Sequence, residues 1–215
     1  MMVLHGTDAS PFTRKVRAVL AFKGISYEDA ELFPVPKTPE LLRMNPLGKI
    51  PVLRDGTVTV ADSSVICAYL ERVRPEPAIY PQAPASYARA LFLEEYADTE
   101  MAAVVGGLLI ERYLAVRLFK RSVDEERVRR LLEQELPKAL DYVEFQLAPP
   151  GDWLVEGRFT VADAAVGTLL VTLRVVGVDV DPTRWPQVHR YAATVGRCAW
   201  FTDAAGTFGS EEVAP

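Results

Sequence analysis

Cysteine and histidine are scarce. The 215 residues hold two of each, and Cys67 and Cys198 stand far apart in apolar helical patterns without a CxxC pair. That excludes a disulfide framework and makes both cysteines core residues. With His5 and His189 the only imidazoles, too few ligands remain for a histidine zinc site, and no metal is expected. Long apolar runs are missing too. The longest, Ala164 to Leu173, is closed by Asp163 and Arg174 and is too short to span a bilayer. No basic-then-apolar leader precedes the first strand, whose apolar run ends at His5, so a reducing, cytoplasmic compartment is expected. Positive charge is not in excess either. A formal net charge of −5 argues against nonspecific nucleic-acid binding, and Arg14, Lys15 and Arg17 read as a solvated basic face of a helix.

What the chain does have is a place to hold an anion. Asp8-Ala9-Ser10-Pro11-Phe12-Thr13 sets a hydroxyl immediately before a helix-starting proline, just after a short apolar strand. Ser10 can cap the helix while Pro11 takes its first position, where a missing N–H costs nothing. Phe12, Val16, Val19 and Leu20 share one helical face, so the hydroxyl stands at the positive end of a docked amphipathic helix. Backbone donors and the macrodipole there favour a thiolate, carboxylate or phosphate.

The N-terminal third alternates short strands and helices. The pattern predicts a strand over 3–5, a helix over 11–23 ended by Gly24 and a strand over 27–33. A loop broken by Pro34, Pro36 and Pro39 leads to a helical turn over 40–44. Strands over 51–54 and 57–60 flank the hairpin dipeptide Asp55-Gly56, and a helix covers 62–73. A parallel crossover followed by an antiparallel hairpin makes a small mixed sheet covered by helices, a thioredoxin-like βαβ-ββα layer.

Pro75, Pro77, Pro81 and Pro84 then mark a linker. Beyond it the chain reads as helix. One long helix covers 86–121 with a bend at Gly106-Gly107, and a second runs from Val128 to Leu147, broken at Pro137. A third, over 161–175, is apolar on nearly all sides, and a fourth starts at Trp185-Pro186. Thr160 and Asp163 resemble a capping box opening the third, with Phe159 as its staple. The fold class is α/β plus all-α: a thioredoxin-like domain over 1–75, a linker over 76–85 and an all-helical domain over 86–215.

Other residues bear on chemistry. Ile50-Pro51 puts an X-Pro bond at a strand entrance. A cis bond would bend the chain there and leave the backbone of Ile50 or Val52 to pair with an extended peptide-like ligand; a trans bond merely opens an edge strand. Asp62-Ser63 opens a helix as a cap or as a zwitterion clamp, with Asp62 receiving an ammonium while Ser63 and helical N–H groups receive a carboxylate. Lys37 and Lys49 either meet another carboxylate or stay solvated.

In this order and spacing, Ser10-Pro11-Phe12, Lys37, Lys49-Ile50-Pro51-Val52 and Asp62-Ser63 resemble the glutathione site of the glutathione S-transferases. The likeness extends through the helical second half and the Phe159 to Asp163 motif. It is closest to serine-type members, such as the tau- and zeta-like classes, and to related bacterial proteins. The resemblance implies that Ser10 donates a hydrogen bond to the glutathione sulfur, with Thr7 and Thr13 as backup hydroxyls. It implies that Ile50, beside Pro51, pairs by its backbone with the cysteinyl unit, that Asp62 and Ser63 clamp the γ-glutamyl end, and that Lys37 and Lys49 neutralise the glycyl carboxylate or its surroundings. Asp62 stands where many members have glutamate, a shorter reach that preserves the charge. The absence of cysteine at position 10 argues against glutathionyl transfer through a mixed disulfide.

The implied activity is conjugation of glutathione, a cosubstrate and not a tightly bound cofactor, to a small hydrophobic electrophile. The electrophile is expected between the domains, against Met101, Val104, Val105, Leu108 and Tyr113, with Trp200 and Phe201 as additions; those side chains equally suit core or dimer contacts. Glutathione-dependent peroxidase, dehalogenase and isomerase chemistry on the same fold are alternatives. So is a non-enzymatic regulatory or binding protein. A cysteine-dependent reductase is disfavoured, since neither Cys67 nor Cys198 opens the first helix. The family likeness also implies a homodimer, while the net charge and the short apolar runs argue against a nucleic-acid or membrane partner.

Overall fold

The computed structural model describes residues 1–147 and 151–204; the end of the expected helical domain, 205–215, lies outside the described residues. The chain opens with β1 (Met2–Gly6), which buries Met2 and Leu4. In α1 (Pro11–Phe22), Ser10 Oγ accepts the Thr13 N–H at 3.2 Å and Pro11 starts the first turn. The helix closes at Lys23, before Gly24 at φ +62°. Then come β2 (Tyr27–Glu31), α2 (Pro39–Met44), β3 (Val52–Asp55), β4 (Val58–Ala61) and α3 (Ser63–Val73). The sheet order is β2-β1-β3-β4, with β1 and β2 parallel and the other pairs antiparallel. The hairpin about Asp55-Gly56 is present one residue later than alternation suggests, and β2 stops two residues short of Phe33.

Register explains why distant sequence segments converge. His5 pairs with Val52, and Val52 pairs with Ala61. One residue further along each strand, the end of β1, the entry to β3 and the exit from β4 lie side by side. That edge therefore gathers Thr7, Ile50-Pro51 and Asp62.

The helical half begins with α4 (Pro84–Tyr96). It continues through a π-helical turn (Ala97–Met101), α5 (Ala102–Leu109), a second π-helical turn (Ile110–Leu114) and α6 (Ala115–Arg117). Gly106 and Gly107 lie in regular α5, and the departures from α geometry are the π turns on either side. Gly107 serves packing, because a β-carbon there would stand 2.9 Å from Leu131 Cδ1. Next come α7 (Glu125–Arg130), a π turn (Leu131–Glu135) and α8 (Leu136–Gln146), with Pro137 in the first turn of α8. α9 (Val161–Val175) is the buried centre, and its Asp163 carboxylate reaches back to the Thr160 N–H at 2.8 Å. α10 (Pro186–Arg197) and a short α11 (Ala199–Ala204), not expected from periodicity, complete the half.

α1 is an inner helix, packed on α3 and also on α9 and α11. This overturns the reading of Arg14, Lys15 and Arg17 as a solvated face, for all three are buried, with Lys15 only 1% exposed. Lys15 Nζ meets Glu94 and Asp98 of the helical half. Arg14 donates to the Asp8 carbonyl and to Thr172 Oγ1 on α9, and Arg17 pairs with Asp8 and Asp29. Each cation is buried because a partner meets it there, which hydropathy alone does not register. No helix among the described residues is long and apolar enough to cross a membrane.

Candidate functional site

The converging sheet edge opens into a cleft of about 340 Å³. From the sheet domain, Thr7, Ser10, Phe12, Lys49 and Ile50 line it. Phe33 and Val35 of the β2–α2 loop, and Leu109, Leu114, Leu118 and Phe119 of the helical half, form an apolar wall.

Ser10 sits where a helix N-terminus meets this cleft. Its oxygen accepts the Thr13 N–H, and its own N–H donates to the Thr7 carbonyl at 3.0 Å. A hydroxyl that accepts one bond still carries a proton to give. Capping the helix and donating into the cleft are therefore compatible roles for one side chain. Thr7 shares the cleft. Thr13 does not: it is fully buried, and its Oγ1 has no hydrogen-bond partner among the described residues. A β-carbon on Gly6 would stand 2.5 Å from that oxygen, so Thr13 faces the β1 backbone and is no backup donor.

The Ile50-Pro51 bond is cis, with Pro51 buried and Ile50 half-buried. Ile50 precedes β3, so the ladder does not occupy its backbone groups. Asn45, which sequence reading missed, braces the approach. Its Nδ2 donates to the Lys49 carbonyl at 2.9 Å, and its Oδ1 accepts the Leu47 N–H at 3.0 Å. An asparagine before proline, followed by glycine, carried that signal. Lys37 is also committed to this loop. Its ammonium donates to the Leu47 carbonyl at 3.0 Å, and its stem lies where a β-carbon on Gly48 would be. Lys49 lines the cleft; Lys37 does not.

Asp62 caps α3 from a left-handed backbone, φ +78°. Its Oδ1 accepts the Ser64 and Val65 N–H groups at 2.9 and 3.3 Å, while Oδ2 has no partner among the described residues. The carboxylate is exposed at the exit of β4, and neither Asp62 nor Ser63 lines the cleft. Ser63 is buried at the first turn of α3. Ser64 faces inward and joins the Lys15 and Asp98 side chains.

Most of the expected electrophile wall lies elsewhere. Met101, Val105 and Leu108 are fully buried in the core, and Val104 nearly so, and none lines the cleft. Tyr113 is half-buried under the Arg117 guanidinium, 4.4 Å from ring centre to Cζ. Phe201 packs on Gly167, and Trp200 stacks with Trp153. The wall comes from other positions of the same run: Leu109 at the end of α5, Leu114 at the end of the second π turn, and Leu118.

The thiols stand apart from the cleft. Cys67 is fully buried, and burial pushes its thiol up to about 12. Cys198 Sγ donates to the Thr194 carbonyl. Among the described residues, no group of three or more His, Cys, Asp or Glu side chains is placed to hold a metal ion.

Residues 4–78 match the family described as "Glutathione S-transferase, N-terminal domain", and residues 86–194 match "Glutathione S-transferase, C-terminal domain". The uncharacterized GST-like protein YibF of Escherichia coli (strain K12) is 32% identical over 178 residues, covering 81% of this chain and 80% of the relative. Glutathione S-transferase U7 of Arabidopsis thaliana is 29% identical over 201 residues, covering 87% of this chain and 79% of that protein. A crystal structure of a glutathione S-transferase from Rhodospirillum rubrum F11 superposes with TM-score 0.87 at 28% identity, over 100% of this chain and 95% of the other. With both halves matched in order, and a thioredoxin-like sheet layer leading into an all-helical region, this chain belongs to the glutathione S-transferase family.

Proposed function

We propose that the protein binds glutathione along the converging sheet edge, holds its sulfur as a thiolate with Ser10, and joins that sulfur to a small apolar electrophile. The observation that carries this reading is the Ser10 side chain, which lines the cleft and caps α1 with its oxygen while its hydroxyl proton is still available to donate. A free thiol of pKa about 8.5 is only a few per cent thiolate at neutral pH. Lowering it by about two units needs about 2.7 kcal/mol of preference for the anion. A hydroxyl bonded to an anion supplies roughly 1.5–3 kcal/mol and a helix N-terminus roughly 0.3–1, so the two together suffice. Ser10 itself stays protonated.

The rest of the tripeptide follows the same edge. Ile50 offers backbone groups to the cysteinyl unit, and the free Asp62 oxygen takes the γ-glutamyl ammonium, with the start of α3 at Ser63 toward its carboxylate. Lys49 answers the glycyl carboxylate, while Lys37 stiffens the loop that presents it. The reading extends to a cytoplasmic homodimer. Its available apolar surface is the groove between α3 and α4, where Val65, Tyr87 and Leu91 are exposed.

The test is a glutathione titration that follows the ultraviolet absorbance of bound thiolate against pH. The wild-type protein is expected to bind glutathione with a thiol pKa of about 6.5. Ser10→Ala should raise that value by about one to two units, the worth of one anion hydrogen bond. Absence of glutathione binding ends the enzyme reading, and an unchanged pKa in Ser10→Ala ends the assignment to Ser10.

A further inference from the structure

The run of helix that lines the cleft through Leu109 and Leu114 has a second side, which faces α7. Gly107 packs there on Leu131, with Arg127 close by, and the Glu111 side chain, four residues on, is 1% exposed. A buried carboxylate needs partners. Glu111 Oε1 accepts from Arg121 Nη2 at 2.9 Å and Arg127 Nη1 at 3.0 Å. Its Oε2 accepts from Arg121 Nη1 at 2.7 Å and from the Asp124 N–H at 3.2 Å. The Arg121 pair is bidentate, a geometry that fixes a guanidinium in direction as well as distance.

Arg121 and Asp124 belong to the segment between α6 and α7, and that segment begins with two cleft residues. Leu118 and Phe119 line the cleft yet stay 41% and 39% exposed, so burial alone holds them weakly. Lys120 then takes a left-handed backbone, φ +51°, and the Arg121 N–H returns to the Ala115 carbonyl at 2.9 Å. A lysine keeps that conformation where its surroundings impose it. The Arg121 fork on Glu111 anchors the very next residue.

We propose that Glu111 is a positioning residue for the electrophile: through Arg121 it holds Leu118 and Phe119 at the cleft, although its own carboxylate does not line it. The inference rests on the glutathione reading above. A buried ion pair adds little net stability, because desolvation offsets the attraction, and what it supplies here is the direction of the chain. Arg127 separates the two roles. It bonds the same carboxylate from α7, outside the segment that carries Leu118 and Phe119.

The experiment compares the dissociation constants of glutathione and S-hexylglutathione, whose alkyl chain extends from the sulfur toward the wall. Both bind by the tripeptide, so their ratio cancels any loss of folded protein. In Arg121→Met and in Glu111→Gln the preference for S-hexylglutathione should fall about 4- to 15-fold, the worth of one or two buried methylene groups. Glutathione affinity should stay within about twofold. KM for chlorodinitrobenzene should rise by the same factor as the preference falls, with kcat unchanged. The two substitutions combined should cost no more than either alone, since both break one link. Arg127→Met should lower the urea midpoint and leave the preference intact. An unchanged preference in folded Arg121→Met and Glu111→Gln, an equal loss in Arg127→Met, or a wild type that binds both ligands alike would each overturn the inference and leave glutathione binding standing. A wild type that binds neither tripeptide overturns the glutathione reading, and the inference falls with it.

Discussion

Lys15 Nζ on α1 lies 2.7 Å from Glu94 Oε1 on α4, and both side chains are almost wholly buried. Asp98 Oδ2 at 2.6 Å and Ser64 Oγ at 2.9 Å complete the ammonium's partners. The cluster fastens the sheet domain to the helical one directly behind the Asp62-Ser63 turn. Burial disfavours the charge, yet Glu94 and Asp98 outweigh it and hold the Lys15 pKa above the ordinary lysine value. Removing one partner from such a buried pair leaves uncompensated charge and costs about 3–5 kcal/mol. Lys15→Met is expected to lose stability by about that amount in urea denaturation. Adding Glu94→Gln and Asp98→Asn should recover part of the loss; a single variant within about 1 kcal/mol of wild type would mean the cluster contributes little.

Ser10 and Thr13 carry the same group on one helix turn and should respond oppositely. Thr13→Val removes a buried hydroxyl without a hydrogen bond. The variant should match wild-type stability or exceed it by up to about 1 kcal/mol, with the bound thiol pKa unmoved. Ser10→Ala loses a cap worth about 1 kcal/mol. Ser10→Asp separates the two roles of Ser10, since a carboxylate caps well but only accepts and is itself anionic. Its stability should return while the thiol pKa stays at least as high as in Ser10→Ala. A pKa restored by aspartate would mean that helix order, and not the hydroxyl proton, activates the thiol.

Much of this was legible in the sequence because the signals were local. The Ser10-Pro11 start, the Asp55-Gly56 turn, the Asp62 cap and the Thr160–Asp163 box each follow from neighbouring residue types, and their order gave the family. Arg14 and Lys15 were not legible because their partners Thr172, Glu94 and Asp98 lie in another domain, and Arg17 because it pairs with Asp8 and Asp29 across the fold; periodicity counts a paired buried cation as surface. The cleft wall failed for a subtler reason. Met101, Val105 and Leu108 have the right spacing for one helical face, but that face is core; the cleft takes Leu109 from the neighbouring face and, across the second π turn, Leu114 and Leu118. A leucine five residues after another carries no mark distinguishing it from one on a different face.

Gly167 is needed by α9 for room. A β-carbon there would stand 2.5 Å from Phe201 Cζ, the ring by which α11 docks. Gly167→Ala gains about 1 kcal/mol in helix propensity but overpacks the core at about 1–3 kcal/mol. Net destabilisation is expected in the wild-type background. In a Phe201→Ala background the ring is gone, and the same substitution should become neutral or stabilising. A double-mutant cycle in urea reads the difference directly; the same cost in both backgrounds would place the strain elsewhere than at Phe201.

Asp163 makes the fold's stability depend on pH. Its carboxylate accepts the Leu154 N–H at 2.9 Å, the Thr160 N–H and Oγ1 at 2.8 Å, and the Tyr191 hydroxyl at 2.9 Å. Those donors favour the anion, but complete burial opposes it more strongly and pushes the pKa from 3.8 up to about 6. A folded pKa above the unfolded one means that the native state holds this proton more tightly. The resulting stabilisation is fully present below about pH 4, is lost as pH rises to about 6, and is constant beyond; two units correspond to about 3 kcal/mol. Asp163→Asn cannot titrate and should be less stable than wild type throughout, because it lacks acceptors for four donors. Its deficit should therefore be largest near pH 4 and shrink by about 3 kcal/mol toward pH 6, as read from urea midpoints across that range. A deficit that stays constant would mean that the folded and unfolded pKa values coincide, and one that grows with pH would mean that the four donors outweigh burial.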